Sequence, residues 1–441
     1  MEKILPNNVH DVLKRSILAD GFDLVFDFEK SKGSYLYDSK HEKKYLDFFT
    51  FFASMPIGFN HQKITGDHDF LEKLTRVSQV KPSNSDVYTV EYAEFIDTFT
   101  RIAGDPHFQN YFFISGGALA VENALKAAFD WKVRKNMEKG IPHEVGSQVI
   151  HFKQAFHGRS GYTMSLTNTD DPRKTMYFPK FPWPRITNPK CTFPLNEQNL
   201  KNVIETEDQA IREIYDAFDR NPDDIACIII EPIQAEGGDN HFRPEFLKEL
   251  RRICDEREAL LIFDEVQTGI GMTGEMWAFQ TLGVLPDMIA FGKKTQICGT
   301  AASKRVNEVD SVFKVPSRIN STFGGNLVDM IRSAKYLEII QEENLIQNSR
   351  GRGAFLQSCL HQLAAEFPDL ISNVRGKGLF IAFDLPNKDL RNKLHKKAFE
   401  HDFLILVCGD RSIRLRPSLD LKQVDAERGL EVLRDVIKEM I

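Results

Sequence analysis

Two adjacent acids and a later lysine are the residues of this 441-residue sequence whose types and spacing most suggest chemistry. Asp264 and Glu265 end the apolar run LLIFDE, and Lys293 follows the next apolar run, 29 positions after Asp264. Burying an unpaired carboxylate is strongly unfavourable, so a cationic group is expected to meet at least one of the two acids.

Two further segments contain groups that can bind a flat, anionic ligand. In SGGALAVEN (115–123) a glycine-rich turn runs into a helix, whose free N–H groups favour phosphate. In KQAFHGRSGY (153–162), Phe156 beside His157 can cover a ring, and Arg159 can hold a carboxylate. Taken alone, each segment also fits a plain structural role: a tight turn, a core phenylalanine, a satisfied histidine and a surface arginine.

Together these groups predict a pyridoxal 5'-phosphate site. A phosphate cradle, a ring-covering aromatic, an acid and a lysine are the four parts that hold this cofactor. Asp264 would pair with a protonated ring nitrogen, and Lys293 could bond covalently to the same molecule. The sequence has neither a GxGxxG nor a Walker motif, so dinucleotide and ATP binding have no motif support.

Short apolar strands alternating with helices must position these groups. We predict strands at YFFIS (111–115), QVIHF (148–152), ACIIIEP (226–232), LLIFDE (260–265) and DMIAFG (287–292). Strands this apolar are covered on both faces, which indicates an α/β fold with a mostly parallel sheet flanked by helices. Ligands of such sheets bind beyond the carboxyl ends of the strands, where the polar residues above lie.

The chain is long enough for more than one domain. We predict that residues 61–330 form the large cofactor-binding domain and that residues 331–441 form a smaller α+β domain. Residues 1–60, in which KGSYLYDSKHEKKYLDFF predicts two strands, would contribute to the smaller domain. The C-terminal part is expected to contain one long helix, strands at 378–385, 403–408 and 412–419, and a last helix at 423–440.

Composition limits the classes of partner. The formal net charge is -6 and no block of Lys or Arg occurs, so nucleic acid and anionic membranes are not expected partners. No apolar run reaches the roughly 18 to 20 residues of a membrane span, and the N-terminus lacks a signal-peptide pattern, so we expect a cytoplasmic protein. The six cysteines are scattered without CxxC spacing, which predicts small buried residues and no metal site.

Seven motifs resemble the class III, omega-amino-acid group of fold type I pyridoxal phosphate aminotransferases. They occur in that family's order over roughly residues 110–420 and read SGGALAVENALK, FHGRSGY, IIIEPIQAEGG, LLIFDEVQTGIGMTG, PDMIAFGKK, STFGGN and RLRPSL. Most members have AKG and SGTEA where this chain has GKK and SGGALA. Both variants resemble L-lysine 6-aminotransferases, and GKK also resembles 4-aminobutyrate aminotransferases.

The resemblance implies how the cofactor ring is handled. Lys293 would bond covalently to the cofactor and later move a proton on the substrate, with the adjacent Lys294 as a rival for this role. Asp264 would keep the ring nitrogen protonated, and Gln267 would reach the phenolic oxygen. Glu265 would support loops through hydrogen bonds.

The resemblance also implies contacts to the phosphate and to the ring face. Gly117 and Ala118 would bind phosphate through backbone N–H groups, while Phe156 would stack on the ring with His157 beside it. Thr322 in STFGGN would reach the phosphate of a neighbouring subunit. A homodimer with shared active sites is therefore expected.

Two arginines are expected to select the substrates. Arg159 would hold the distal carboxylate of an omega-amino donor, and Arg414 would bind the α-carboxylate of 2-oxoglutarate. Glu236 would neutralise Arg414 while the donor is bound and then swing aside. Arg416, two positions along a predicted strand, is the alternative partner of Glu236.

The implied reaction transfers the ε-amine of L-lysine to 2-oxoglutarate and gives 2-aminoadipate 6-semialdehyde and glutamate. The alternatives are 4-aminobutyrate or ornithine as donor, an aminomutase on the same fold, or a non-catalytic protein that binds the cofactor. A retained Lys293 argues against the last. Lysine also needs an acceptor for its α-ammonium; Asn320 and backbone carbonyls are the candidates.

Overall fold

The central element of the molecule is a seven-stranded, mostly parallel sheet. The computed structural model describes residues 3–441. In spatial order the strands are Phe108–Ile114, Cys298–Ser303, Met288–Phe291, Leu260–Asp264, Ile225–Ile230, Gln148–Phe152 and Arg185–Ile186. All run parallel except Cys298–Ser303, which is antiparallel to both neighbours. The predicted α/β sheet is therefore present, and its predicted strands lie within two or three residues of their expected bounds.

The antiparallel strand Cys298–Ser303 was not predicted from the sequence. Its sequence, CGTAAS, consists of small residues and lacks the apolar run that marks the other strands. Tight packing explains this composition: a Cβ added to Gly299 would lie 2.3 Å from the carbonyl oxygen of Phe112 on the neighbouring strand. A small residue therefore lets this strand insert between Phe108–Ile114 and Met288–Phe291.

Two apolar cores lie on opposite faces of the sheet because successive strand residues point to opposite sides. In the strand Leu260–Asp264, Leu261 and Phe263 belong to one core, while Leu260 and Ile262 belong to the other. The helix Pro244–Glu256 covers the first face with the predicted stripe of Phe246, Leu247, Leu250, Ile253 and Cys254. The helix Gly117–Glu138 covers the second face.

The remaining sheets are smaller and join distant parts of the chain. One antiparallel sheet has the spatial order Ser372–Lys377, Phe380–Asp384, Ser412–Leu415 and Leu406–Cys408. Another places Tyr35–Asp38 and Lys43–Asp47 beside the C-terminal strand Phe403–Leu404. A two-stranded hairpin pairs Ile233–Gln234 with Asn240–His241. The N-terminal and C-terminal parts of the chain thus share one sheet.

Thirteen α-helical segments and one left-handed turn, Thr50–Ala53, occur in residues 3–441 beside four 3₁₀ segments. The α-helical segments have the bounds Val9–Lys14, Gln62–Thr65, His68–Ser78, Val90–Ile102, Gly117–Glu138, Thr163–Leu166, Glu197–Arg220, Pro244–Glu256, Ala278–Leu282, Leu327–Glu342, Leu345–Glu366, Lys388–Glu400 and Gln423–Lys438. The expectation of one long helix after residue 330 is wrong. Asn344, with a left-handed φ of 52°, separates two helices there.

Membrane-spanning helices, clusters of metal-ligating side chains and disulfide bonds are absent from residues 3–441. No helix there is long and apolar enough to cross a membrane. No group of His, Cys, Asp and Glu in the same range has an arrangement that could hold a metal ion. All six cysteines are free, and Cys191, Cys227, Cys254 and Cys408 are buried.

Candidate active site

The carboxyl ends of the parallel strands open into one cavity of about 600 Å³. It contains nearly all of the residues singled out above. Its lining includes Gly117, Ala118, Phe156, His157, Arg159, Glu236, Asp264, Gln267, Lys293 and Arg414. These residues come from segments as much as 297 positions apart (414 − 117), so the sheet brings them together.

Asp264 meets an imidazole at the floor of this cavity. Its Oδ2 lies 2.8 Å from Nδ1 of the buried His157, and its Oδ1 accepts a hydrogen bond of 3.1 Å from the Val266 N–H. Burial alone lowers the pKa of His157, but the hydrogen bond to Asp264 and its charge outweigh this, and the net pKa is raised. His157 is therefore a group of the fold that can carry positive charge beside Asp264.

Glu265 points away from the cavity and has a structural environment. Its carboxylate accepts hydrogen bonds from the N–H groups of Ala278, at 3.0 Å, and Phe279, at 2.8 Å, and from the Thr268 hydroxyl. Burial raises the pKa of Glu265 to about 7. Its hydrogen bonds hold the first turn of a short helix at Ala278–Leu282.

The two neighbouring lysines occupy different environments. Lys293 lines the cavity, and its φ of 53° lies in the left-handed region, where strained non-glycine residues concentrate at functional sites. Burial, and then the nearby charge of Arg414, lower the pKa of the Lys293 ammonium to about 8. Lys294 instead donates to the carbonyl oxygens of Gln267, at 2.7 Å, and Ala53, at 3.4 Å, outside the cavity lining.

The helix Gly117–Glu138 begins at the cavity wall with uncapped N–H groups. Its N-cap residue is Gly116, at φ 106°, and no side chain within residues 3–441 caps the helix. The cradle is narrow, since a Cβ added to Gly117 would lie 3.2 Å from Val266. Free N–H groups and the positive end of the helix dipole therefore face the cavity, as phosphate binding requires.

Glu231 is a functional candidate that the sequence prediction did not single out. It lines the cavity, and its carboxylate accepts hydrogen bonds from the N–H groups of Phe156, at 2.9 Å, and Ala235, at 3.0 Å. Burial raises the pKa of Glu231 to about 7. Its position directly after the strand Ile225–Ile230 is the signal that could have identified it.

A left-handed turn forms a second unpredicted wall. Residues Thr50–Ala53 have φ values of 41°, 51°, 60° and 62°, a conformation that costs about 1–2 kcal/mol for each L-residue. The buried Asp47 accepts hydrogen bonds of 2.8 Å from the N–H groups of Phe49 and Thr50 and so fixes the start of the turn. The turn places Phe52 in the cavity lining, with its ring centroid 5.9 Å from Nζ of Lys293.

Glu236 pairs with Arg414 and not with Arg416. Its Oε2 lies 2.8 Å from Nη2 of Arg414, which is buried in the cavity wall. Arg416 lies outside the cavity lining, where its Nη2 contacts both carboxylate oxygens of Asp239 at 2.7 and 2.6 Å. Arg416 also stacks 3.4 Å from the ring centroid of Phe380. The two arginines are thus held by different acids.

Three other predicted residues differ in their placement. Arg159 lines the cavity, is exposed, and has no ion-pair partner in the part of the chain from residue 3 onwards. Gln267 lines the cavity, and its buried Oε1 has no hydrogen-bond partner within the same residues. Thr322 is exposed and outside the lining, as is Asn320, so the single chain does not bring them to this site.

The family model described as aminotransferase class-III matches residues 19–437 of the chain. The chain belongs to the class III aminotransferase family. The predicted family and its fold type are thereby confirmed, and the cofactor of this aminotransferase is pyridoxal 5'-phosphate.

The similarity to individual relatives extends over the whole aminotransferase chain. The L-lysine-epsilon aminotransferase of Mycobacterium bovis is 49% identical over 433 residues, which cover 98% of this chain and 96% of the relative. The enzyme of the same name from Streptomyces clavuligerus is 47% identical over 428 residues, or 97% and 93%. The solved lysine aminotransferase of M. tuberculosis superposes with a TM-score of 0.97 at 48% identity, covering 99% of this chain and 100% of that one.

The cavity of this class III aminotransferase fits the cofactor in size and in polarity. Its uncapped helix start suits a phosphate, Phe156 supplies an aromatic face that could cover a ring, and Asp264 is a buried acid that could pair with a ring nitrogen. Of the two adjacent lysines, Lys293 is the one that lines the cavity. The unpartnered Gln267 Oε1 is a further polar atom for the bound molecule.

Proposed function

We propose that this aminotransferase moves the ε-amino group of L-lysine to 2-oxoglutarate, forming 2-aminoadipate 6-semialdehyde and glutamate. The observation that carries the proposal is a cavity with two unlike arginines: Arg159 is unpaired among residues 3–441, whereas Arg414 is covered by Glu236. Such a cavity suits a donor with one free amine end and an acceptor with two carboxylates. The names of the relatives at 47–49% identity support lysine as the donor.

Three side chains would perform the chemistry. Bound pyridoxal phosphate supplies a reactive aldehyde and a ring that withdraws electrons from the substrate. Lys293, with a pKa lowered to about 8, can exchange a proton near neutral pH and would move it at the substrate carbon. Asp264 would hold the ring nitrogen in its protonated form, and His157 keeps that carboxylate oriented.

The two arginines would orient the substrates in successive half-reactions. Arg159 would take the α-carboxylate of lysine and so direct the ε-amine towards Lys293. Arg414 would take the α-carboxylate of 2-oxoglutarate after Glu236 leaves it, because a bidentate arginine suits a planar carboxylate. We propose that the lysine α-ammonium is met by a backbone carbonyl, or by Asn320 from a neighbouring subunit.

Lysine is expected to have a higher kcat/KM than 4-aminobutyrate or ornithine with 2-oxoglutarate as acceptor. A hydrogen bond to the α-ammonium is worth about 1.5–3 kcal/mol, or roughly 10- to 150-fold over 4-aminobutyrate, which lacks that group. Steady-state kinetics with the three donors tests this. A higher kcat/KM for 4-aminobutyrate would contradict the choice of donor, and repeated turnover of lysine without 2-oxoglutarate, beyond one equivalent of product per site, would indicate an aminomutase.

We also propose that the enzyme is a cytoplasmic homodimer in which each subunit completes the other's site. Thr322 lies on an exposed segment packed against residues 81–90: the Ser85 hydroxyl donates to the carbonyl of Ser321, at 2.7 Å. Within and next to residues 81–90, four apolar side chains are 62–75% exposed: Val80, Val87, Tyr88 and Val90. Monomeric proteins rarely expose large apolar patches, so this surface suits a subunit interface that presents Thr322 to a partner.

Mixed dimers test the shared site. Combining Lys293→Ala subunits with Thr322→Ala subunits is expected to restore activity, since each mixed dimer would contain one site with neither change. Random exchange gives roughly a quarter of intact sites, so activity should rise well above the sum of the parents. Mixed dimers that form, as judged by differently tagged subunits, but gain no activity would contradict sharing.

Glu236→Gln is expected to favour α-amino donors over lysine. The amide no longer neutralises Arg414, so the α-carboxylate of a donor such as glutamate can bind there directly. Losing this charge-assisted pair should shift the ratio of lysine to glutamate kcat/KM by about 10- to 150-fold. The ratio is measured from single half-reactions with each donor. An unchanged ratio would contradict the proposal that Glu236 acts as a gate, covering Arg414 for lysine and leaving it for 2-oxoglutarate.

A further inference from the structure

The Glu236 carboxylate is held by two cations rather than one. Its Oε2 contacts Arg414 at 2.8 Å, and its Oε1 accepts a hydrogen bond of 2.6 Å from Nζ of Lys174. Burial raises the pKa of Glu236, but the charges of Arg414 and Lys174 outweigh this and hold the pKa below its ordinary value. Glu236 is therefore an ionised bridge between the two cations.

The two cations differ in their attachment to the fold. Arg414 lies in the strand Ser412–Leu415 and is buried, with 2% of its surface exposed. Lys174 ends a single 3₁₀ turn, Pro172–Lys174, and its side chain is 23% exposed. Lys174 can therefore keep its contact while Glu236 changes its rotamer.

The space behind Glu236 provides a place for the carboxylate to go. A second cavity of about 440 Å³ shares Glu236 and Lys174 with the active-site cavity and is also lined by Lys388 and Arg391. The same lining contains one further cation, Arg173, and two acids, Asp170 and Asp171, so its cations outnumber its acids and favour a carboxylate turned towards them. The second cavity thus adjoins the gate on the side away from Asp264 and Lys293, neither of which lines it.

The backbone around Glu236 is fixed, so its side chain is the part that can move. The Glu236 carbonyl accepts a hydrogen bond of 2.8 Å from the Gly409 N–H. Three residues later, Asp239 is clamped to Arg416 in a fully buried pair. A rotation about the Glu236 side-chain bonds therefore releases Arg414 without displacing the loop.

We infer that Lys174 is a positioning residue of the gate, which retains Glu236 in its displaced position while a dicarboxylate acceptor occupies Arg414. The inference rests on the proposed gate at Glu236. Without Lys174, the displaced carboxylate would lose its direct partner, and Glu236 would bind Arg414 more persistently. Lys174 should accordingly favour the acceptor half-reaction and leave the lysine half-reaction nearly unchanged.

The test measures the two half-reactions separately in the holoenzyme. For Lys174→Ala, the 2-oxoglutarate concentration that gives the half-maximal rate of the acceptor half-reaction should rise roughly 5- to 30-fold. This range is below that of a fully buried ion pair because Lys174 is partly exposed. The lysine half-reaction should change less than about twofold. Lys174→Arg should restore the acceptor step, while Lys153→Ala, which removes an exposed cation that lines neither cavity, should leave it unaltered.

A double variant separates a gate role from direct binding. Lys174 also lies in the cavity lining, with Nζ 5.8 Å from the Phe156 ring centroid, so it could contact the acceptor or the ring-covering residue instead. In a Glu236→Gln background the effect of Lys174→Ala should vanish if Lys174 acts through Glu236. An effect that persists there, an unchanged acceptor step, or an equal loss in both half-reactions would overturn the inference. The Glu236→Gln single variant tests the gate separately: an unchanged ratio of lysine to glutamate kcat/KM would show that Glu236 does not act as a gate.

Discussion

Replacing Lys293 by alanine is expected to abolish turnover and the absorbance band of covalently bound cofactor. Of the adjacent pair Lys293 and Lys294, Lys293 lines the cavity, and its pKa is lowered to about 8, which leaves roughly a tenth of its amine neutral at pH 7. Removal of a positioned general base costs about 10²- to 10⁴-fold, and loss of the covalent anchor adds to this. Activity should fall by about 10⁴-fold or more in a holoenzyme reconstituted with excess cofactor.

Lys294→Ala is the matched control. Lys294 donates to two carbonyl oxygens, those of Gln267 and Ala53, so its removal should lower stability while the absorbance band remains. Thermal unfolding and the absorbance spectrum distinguish the two effects. Borohydride reduction followed by peptide mapping should label Lys293, and label on Lys294 would contradict the assignment.

Asp264→Asn is expected to have the second largest effect, lowering kcat by about 10²- to 10³-fold. The amide would keep the size of the side chain and its contact to the Val266 N–H, but it would remove the charge that raises the pKa of His157 and that would keep the ring nitrogen protonated. Breaking a buried charge pair by removing one member is worth about 3–5 kcal/mol. Single-turnover rates with lysine measure the loss, and the cofactor's absorbance against pH should shift with it.

Glu265→Gln separates the two adjacent acids. Glu265 accepts from two backbone N–H groups and from Thr268, so an amide there would leave one donor without an acceptor. We expect lower thermal stability, near-normal absorbance and a much smaller loss of kcat than for Asp264→Asn. If Glu265→Gln lowered kcat as much as Asp264→Asn without loss of stability, the division of roles between them would be wrong.

The sequence was sufficient to predict where strands end because that information is local. Continuous apolar runs identified strands such as Ile225–Ile230 and Leu260–Asp264, and the rule that ligands lie beyond strand ends placed Asp264 and Lys293 together. The strand Cys298–Ser303 was not predicted because it lacks an apolar run. Its residues are small for a non-local reason, which is the close approach of Phe112 on the neighbouring strand. Lys174 was not singled out because its contact with Glu236, 62 positions away, is non-local.

The choice between Arg414 and Arg416 shows what alternation along a strand cannot decide. Two residues of the same parity share a face only while the strand continues, and this strand ends at Leu415. Arg416 lies beyond that end and reaches Asp239, whereas Arg414 reaches Glu236. The left-handed turn at Thr50–Ala53 could not be predicted from the sequence either, because it contains no glycine. Tertiary contacts stabilise it, such as the hydrogen bond of 2.6 Å that the Thr50 hydroxyl donates to the Arg416 carbonyl.

Transfer of a labelled nitrogen tests the central claim most directly. Lysine carrying ¹⁵N only at the ε position is incubated with the holoenzyme and 2-oxoglutarate, and the glutamate formed is analysed by mass spectrometry. Transfer of the ε-amine predicts that each glutamate carries the label, while lysine labelled only at the α position gives unlabelled glutamate. Labelled glutamate from α-labelled lysine, or none from ε-labelled lysine, would contradict the proposed function.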